Sequence, residues 1–260
     1  EVPEAIEAFD DYIARTQLSE PGEAARGRLR LAILLQRQER YQELSTVLDA
    51  AEAFEGFDGT ETWELRALRA IALGAEGSFR VSESELNRVR SEIRHHSRRT
   101  GDLFPYQAAM VWYFAGELDR MQARSIVLDS VDDLELLDRQ IGEKADLLMD
   151  ARQRFKRTLE HGEPTWSGPA ALALGGVYED FRADLLAAPA PSDLEPDVRE
   201  VYESLLRERT QQFLGAAVKD YRSVLELARF LDLEPPWIAA VSGALERCEE
   251  ALAEAPGEAR

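Results

Sequence analysis

Two stretches of the chain, QERYQELSTVLDAA at 38–51 and EGSFRVSESELNRV at 76–89, follow one pattern. Each carries an aromatic residue, Tyr41 or Phe79. Three residues on comes Leu44 or Ser82, and further steps of four and three reach Leu48 and Ala51, or Leu86 and Val89. Steps of three and four return to one face of an α-helix, so each stretch reads as an amphipathic helix. The copies are offset by the interval from Tyr41 to Phe79. Recurrence at such an interval, with a second helix between the copies, marks stacked helical hairpins.

Working outward, the same periodicity runs almost end to end, while alternation of apolar and polar residues never lasts beyond a few positions. The pattern predicts helices near 3–16, 21–37, 40–54, 60–74, 82–99, 104–118, 119–129, 131–160, 167–187, 196–215, 217–231 and 236–253, the long one at 131–160 open to interruption at Gly142. Ser82 with Glu85 and Ser130 with Asp133 have capping-box spacing, and Pro196 and Pro235 suit first helical turns. The segment from Ala187 to Ser192, with Pro189 and Pro191, reads as an extended joint between two stacks.

Later in the chain Leu174, Gly175 and Tyr178 have Leu-Gly-x-x-Tyr spacing, and Ala217, Tyr221 and Val224 follow Ala-x-x-x-aromatic-x-x-small. With the two stretches above, these residues resemble tetratricopeptide repeats, two-helix units of about 34 residues. Trp63, Trp166 and Trp237 fall near the starts of would-be first helices, each out of the family register by two or more residues. The resemblance implies an all-α chain of antiparallel helix hairpins stacked into a right-handed superhelical solenoid. Residues 1–130 and 131–260 would form the N- and C-terminal repeats of one continuous stack, with a joint near 187–196. The run from Leu174 to Phe181, with Pro189, Pro191, Tyr221 and Trp237 in an Arg-rich, Lys-poor chain, is also similar to multi-repeat cell-envelope and gliding-machinery proteins of myxobacteria. That similarity implies a bacterial protein of the periplasm or envelope, with the cytoplasm as the alternative.

Charge removes whole classes of function. Thirty-one basic against fifty acidic residues leave a net charge of −19, which repels polyanions, so no nucleic-acid partner is expected. A single cysteine, Cys248, forbids an intrachain disulfide. The longest nonpolar run, 168–178, is about half of what a bilayer crossing needs, so no transmembrane segment is expected. The chain opens at Glu1 without methionine, which reads as a trimmed piece of a longer protein.

No catalytic, cofactor or metal constellation emerges. His95 and His96 are adjacent and point about 100° apart on a helix, and His161 stands alone. All three read as surface histidines. The glycine clusters lack the Lys-Ser/Thr of a phosphate loop, and the acidic stretches lack calcium-loop spacing. Cys248, flanked by Leu245 and Ala251, reads as a small core residue.

One segment opposes the overall charge. Between Leu86 and Thr100 lie Arg88, Arg90, Arg94, Arg98 and Arg99 against Glu92 alone, with His95 and His96 among them. It reads either as a docking site for an acidic partner, a phosphate or an anionic surface, or as a helix that neutralises acidic neighbours. Trp112, Tyr113 and Phe114 are consecutive, so one must point away from the core unless neighbouring helices cover all three. Arg90, Arg94, Arg98, Arg99, Trp112 and Tyr113 are therefore the candidate partner-binding residues. The expected function is a non-enzymatic protein-interaction scaffold in a larger assembly; the alternative is a helical regulatory or substrate-binding module of a multidomain enzyme.

Overall fold

The computed structural model describes residues 2–129, 133–192, 194–230 and 237–254. The described residues form an all-helical chain: α1 Val2–Thr16, α2 Pro21–Arg37, α3 Tyr41–Glu52, α4 Gly59–Ala75, α5 Phe79–Thr100, α6 Pro105–Ser125, α7 Leu134–Glu160, α8 Pro164–Ala187, α9 Pro196–Phe230 and α10 Trp237–Ala253. They divide into two compact units, Glu1–Leu118 and Asp119–Arg260, with the division inside α6.

In the first unit α1, α2, α3, α4 and α5 pack in sequence, and α2 also touches α4. The Tyr41–Phe79 interval is a structural period. Helices α2 and α4 begin at Pro21 and Gly59, α3 and α5 at Tyr41 and Phe79, and the two pairs have the same offset. Core positions repeat with the helices. Leu44, Leu48 and Ala51 are buried in α3, and Ser82, Leu86 and Val89 are buried at the matching places in α5. Ala32 and Ile33 of α2 correspond to Ala70 and Ile71 of α4, all four buried. Small residues set how near the helices come: a Cβ added at Gly74 would strike Leu118 and sit 3.4 Å from the hydroxyl of Ser82.

Ser82 therefore has a different role from the one its spacing suggests. Helix α5 starts at Phe79, a turn early, and Ser82 is fully buried with its hydroxyl donating to the Ser78 carbonyl at 3.1 Å. The capping box lies on α4 instead. The Asp58 carboxylate accepts from the Thr60 and Glu61 amides, each at 2.8 Å, and the Glu61 carboxylate accepts from the Asp58 amide at 3.0 Å. Asp133 caps α7 by accepting from Leu136 at 3.0 Å, while its expected companion Ser130 and the first-turn Pro235 lie outside the described residues.

In the second unit α7, α8, α9 and α10 pack in sequence, and α8 also touches α10. The Leu-Gly-x-x-Tyr glycine explains its own presence: a Cβ on Gly175 would enter the Tyr221 ring, and one on Gly168 would lie 2.7 Å from Trp237 Cβ. Phe181 meets Phe213 edge-on with ring centroids 4.9 Å apart. Positions thus descend along α8 as they rise along α9, so the two helices are antiparallel. The segment beginning at Ala187 connects α8 and α9, two helices that pack on each other. Bidentate Arg152–Asp220 bonds of 2.6 and 2.7 Å tie α7 to α9, and the buried ammonium of Lys144 lies 2.5 Å from Asp184 of α8.

Two expected helix breaks do not occur, and the interruption left open at Gly142 is absent. Helix α6 runs through 118 and 119, where no glycine or proline interrupts it, α7 runs through Gly142, and α9 runs through Gly215. A glycine inside a helix costs only about 1 kcal/mol relative to alanine, less than the packing that holds these helices straight.

The Asp58 cap yields a pH-dependent expectation. Hydrogen bonds from the Glu61 amide and from Thr60 hold its carboxyl below the usual range, so the stabilisation is present at neutral pH and is lost as pH falls through that lowered value. Urea titration of Asp58→Ala should show a loss of about 1 kcal/mol at pH 7 that shrinks steadily below about pH 4.

Candidate functional site

The surface that departs most from the acidic remainder is the second half of α5 with the start of α4 behind it. The ion pairs here run from α4 to α5. Arg66 of α4 donates to Glu85 at 2.6 Å and forks onto both oxygens of Glu92 at 2.7 and 3.1 Å. The Trp63 indole also donates to Glu92, at 3.3 Å. These bonds, Arg66 foremost, hold the Glu92 carboxyl below its ordinary pKa. One α4 arginine thus takes up two of the three acids of α5, Glu85 and Glu92.

The arginines of α5 do not reciprocate as a neutralising helix would. Arg88 pairs with Glu85 of its own helix, at 3.2 Å, and adds to the field on Glu92, also of α5. Arg94, Arg98 and Arg99 are exposed and have no ion-pair partner among the described residues. They stand on a regular helix that ends at Gly101, whose φ of 80° closes the last turn.

An aromatic cluster sits beside them. Trp63, His96 and Phe104 meet mutually edge-on, with centroid separations of 5.6, 5.3 and 5.4 Å. His96 is accordingly half-buried in this cluster while His95 is exposed, so only one of the adjacent pair is a surface residue. Trp63, Ser91, Glu92, His95, His96 and Arg99 line an open recess of about 430 Å³.

The six residues singled out in sequence separate into three environments. Arg94, Arg98 and Arg99 share the exposed end of α5 by the recess. Arg90 points elsewhere, donating to Asn87 at 2.7 Å with its guanidinium 4.2 Å above the Trp112 ring. Trp112 is half-buried beneath it, and Tyr113 and Phe114 are buried, so neighbouring helices cover the aromatic triplet in the way the periodicity allowed. Sequence reasoning missed Trp63, Arg66 and Phe104 as parts of this surface. The one signal was Trp63 and Arg66 three residues apart on a single helix face.

Elsewhere the buried charged groups Glu64 and Lys144 have partners. Buried Glu64 accepts from Arg30 at 2.8 Å and from Gln107 at 3.0 Å, and burial raises its pKa. A smaller recess of about 210 Å³ in the second unit is lined by Lys144, Arg124 and Asp184 among others, but Lys144 is bonded to Asp184 and Arg124 lies 3.6 Å from Asp180. Buried Cys248 has its thiol pushed up to about 11, first by burial and then by Glu179, so it stays protonated at neutral pH. His161 is exposed at the end of α7. Among the described residues no three His, Cys, Asp or Glu side chains converge as metal ligands, and no helix is long and apolar enough to cross a membrane. No protein-family model matches the chain, and no curated protein matches it.

The two kinds of arginine should behave differently on truncation. Arg94→Ala, Arg98→Ala and Arg99→Ala should each change stability by less than about 0.5 kcal/mol. Arg66→Ala should cost about 1 kcal/mol, because it removes the ion pairs to both Glu85 and Glu92, the latter a two-oxygen fork. Chemical denaturation of the four variants measures the contrast.

Proposed function

We propose that the protein is a non-enzymatic interaction scaffold, a tetratricopeptide-like stack of helix hairpins that holds a protein partner within a larger assembly. The reading rests on the Tyr41–Phe79 period: two hairpins, α2–α3 and α4–α5, repeat in their start points and in their buried positions. The contact of α2 with α4, and of α8 with α10, supports it further. Those are the pairings that first helices of successive repeats make, whereas a simple up-and-down bundle is built from neighbours around one core. A repeat stack exposes long helix faces, which suits binding. A cell-envelope location belongs to this proposal through the similarity of the 174–181 run to envelope repeat proteins.

One measurement tests it. Affinity capture from the source organism's lysate, with the full chain tagged at either end in turn and cross-linked before washing, should retain one protein in fixed proportion. Capture of nothing with both tags would overturn the scaffold reading.

A further inference from the structure

We propose that the exposed face of α5 between Arg88 and Arg99 binds a short acidic segment of the partner protein, with the carboxylates on Arg94, Arg98 and Arg99 and an adjoining side chain in the Trp63–His96 recess. The assignment rests on the scaffold reading and names the chemistry of what is held.

The charge at this face is uncommitted. In a chain of net charge −19, most guanidinium groups near acids find them, as Arg66, Arg69, Arg120 and Arg152 do. Arg94, Arg98 and Arg99 project into solvent from the last turns of α5 with no acid among the described residues to receive them. The one carboxylate in the recess, Glu92, is held by Arg66 and the Trp63 indole, so it does not cancel them. A helix C-terminus contributes roughly half a negative charge, which three guanidinium groups exceed several-fold. Stabilisation of the helix end by Arg98 and Arg99 therefore uses only a fraction of the positive charge present.

Size and surroundings choose the occupant. From Arg88 to Arg99 the face is about 17 Å long at about 1.5 Å per residue, the span of about five extended residues. Duplex nucleic acid carries a charge roughly every 1.7 Å, so it would run past the patch at both ends and meet a chain that is otherwise strongly acidic. An anionic bilayer has the same difficulty in two dimensions. A five- or six-residue acidic segment fits within the patch, and Arg suits its carboxylates because the planar fork accepts them in pairs. The open recess next to Arg99, bordered by the Trp63 and His96 rings with Phe104 against them, gives a neighbouring apolar or aromatic side chain somewhere to rest.

The test uses the full chain and a fluorescein-labelled hexapeptide of alternating Asp and Glu, blocked at both ends, with the Asn/Gln peptide as its neutral counterpart. Fluorescence anisotropy at low salt should show binding of the acidic peptide alone, weakening as ionic strength rises. The triple variant R94A/R98A/R99A should bind at least about tenfold more weakly, while R15A/R157A, which removes exposed arginines elsewhere, should bind as the parent does. Circular dichroism and thermal melts of the triple variant should overlay the parent, since these side chains touch no described acid. Absence of binding up to about 1 mM, equal affinity of parent and triple variant, or tighter binding of duplex DNA or phosphatidylserine vesicles to the same face would each overturn the proposal. Such a failure alongside a partner captured from lysate would leave the scaffold and discard this site; failure of both would discard the scaffold as well.

Discussion

The structure depends on how closely its helices can approach one another. Glycine faces the partner helix where two axes converge: Gly74 against Ser82, Gly175 against Tyr221 and Gly168 against Trp237. At each of these places a single added methyl would meet a side chain at less than van der Waals separation or nearly so. The aromatic residues fill the complementary spaces, and Trp166 and Tyr221 are among the largest side chains removed from water. Dispersion and hydrophobic burial at such contacts grow only if the surfaces interdigitate, so small residues on one helix and large ones on the next are two halves of one constraint.

That constraint also positions the arginine face. Close packing of α4 on α5 brings Arg66 within reach of Glu85 and Glu92, and the pairing satisfies those two acids from behind. With Glu92 taken, the second half of α5 keeps a positive charge that the composition of the whole chain conceals. The same packing presses the His96 ring against Trp63 and leaves His95 in solvent, although the two residues are identical and adjacent. The helix pairing that sets the Tyr41–Phe79 period thus also decides which of these charges are paired.

Much of this is legible in the residues alone. Helix type and most helix positions follow from period and punctuation, and the offset between Tyr41 and Phe79 is visible as spacing. The arginine cluster is visible as composition, and burial of Cys248 follows from its apolar neighbours. Errors fall where a local signal competes with packing. Ser82 looks like a cap because serine three residues before glutamate often is one, yet it is the small residue that lets Gly74 approach. Gly142 and Gly215 look like breaks because glycine disfavours helix, yet packing along α7 and α9 outweighs that cost. Arg90 looks like a member of the cluster by sequence, but its guanidinium lies over the Trp112 ring of α6.

Residue order and composition are enough for whatever is periodic or summed: an all-helical chain, the repeat that returns Tyr41 as Phe79, a strongly negative charge with one reversed segment, and a lone thiol without a disulfide. Period and total charge are properties of the chain read in order, so they need no coordinates. Helix packing settles the rest: which arginines are paired, which of two histidines is covered, and that Tyr113 is core while the Trp63 ring borders a recess. Those outcomes depend on distant residues, Arg66 for Glu92 and Trp63 for His96, whose proximity arises from tertiary contact and leaves no local trace in the chain.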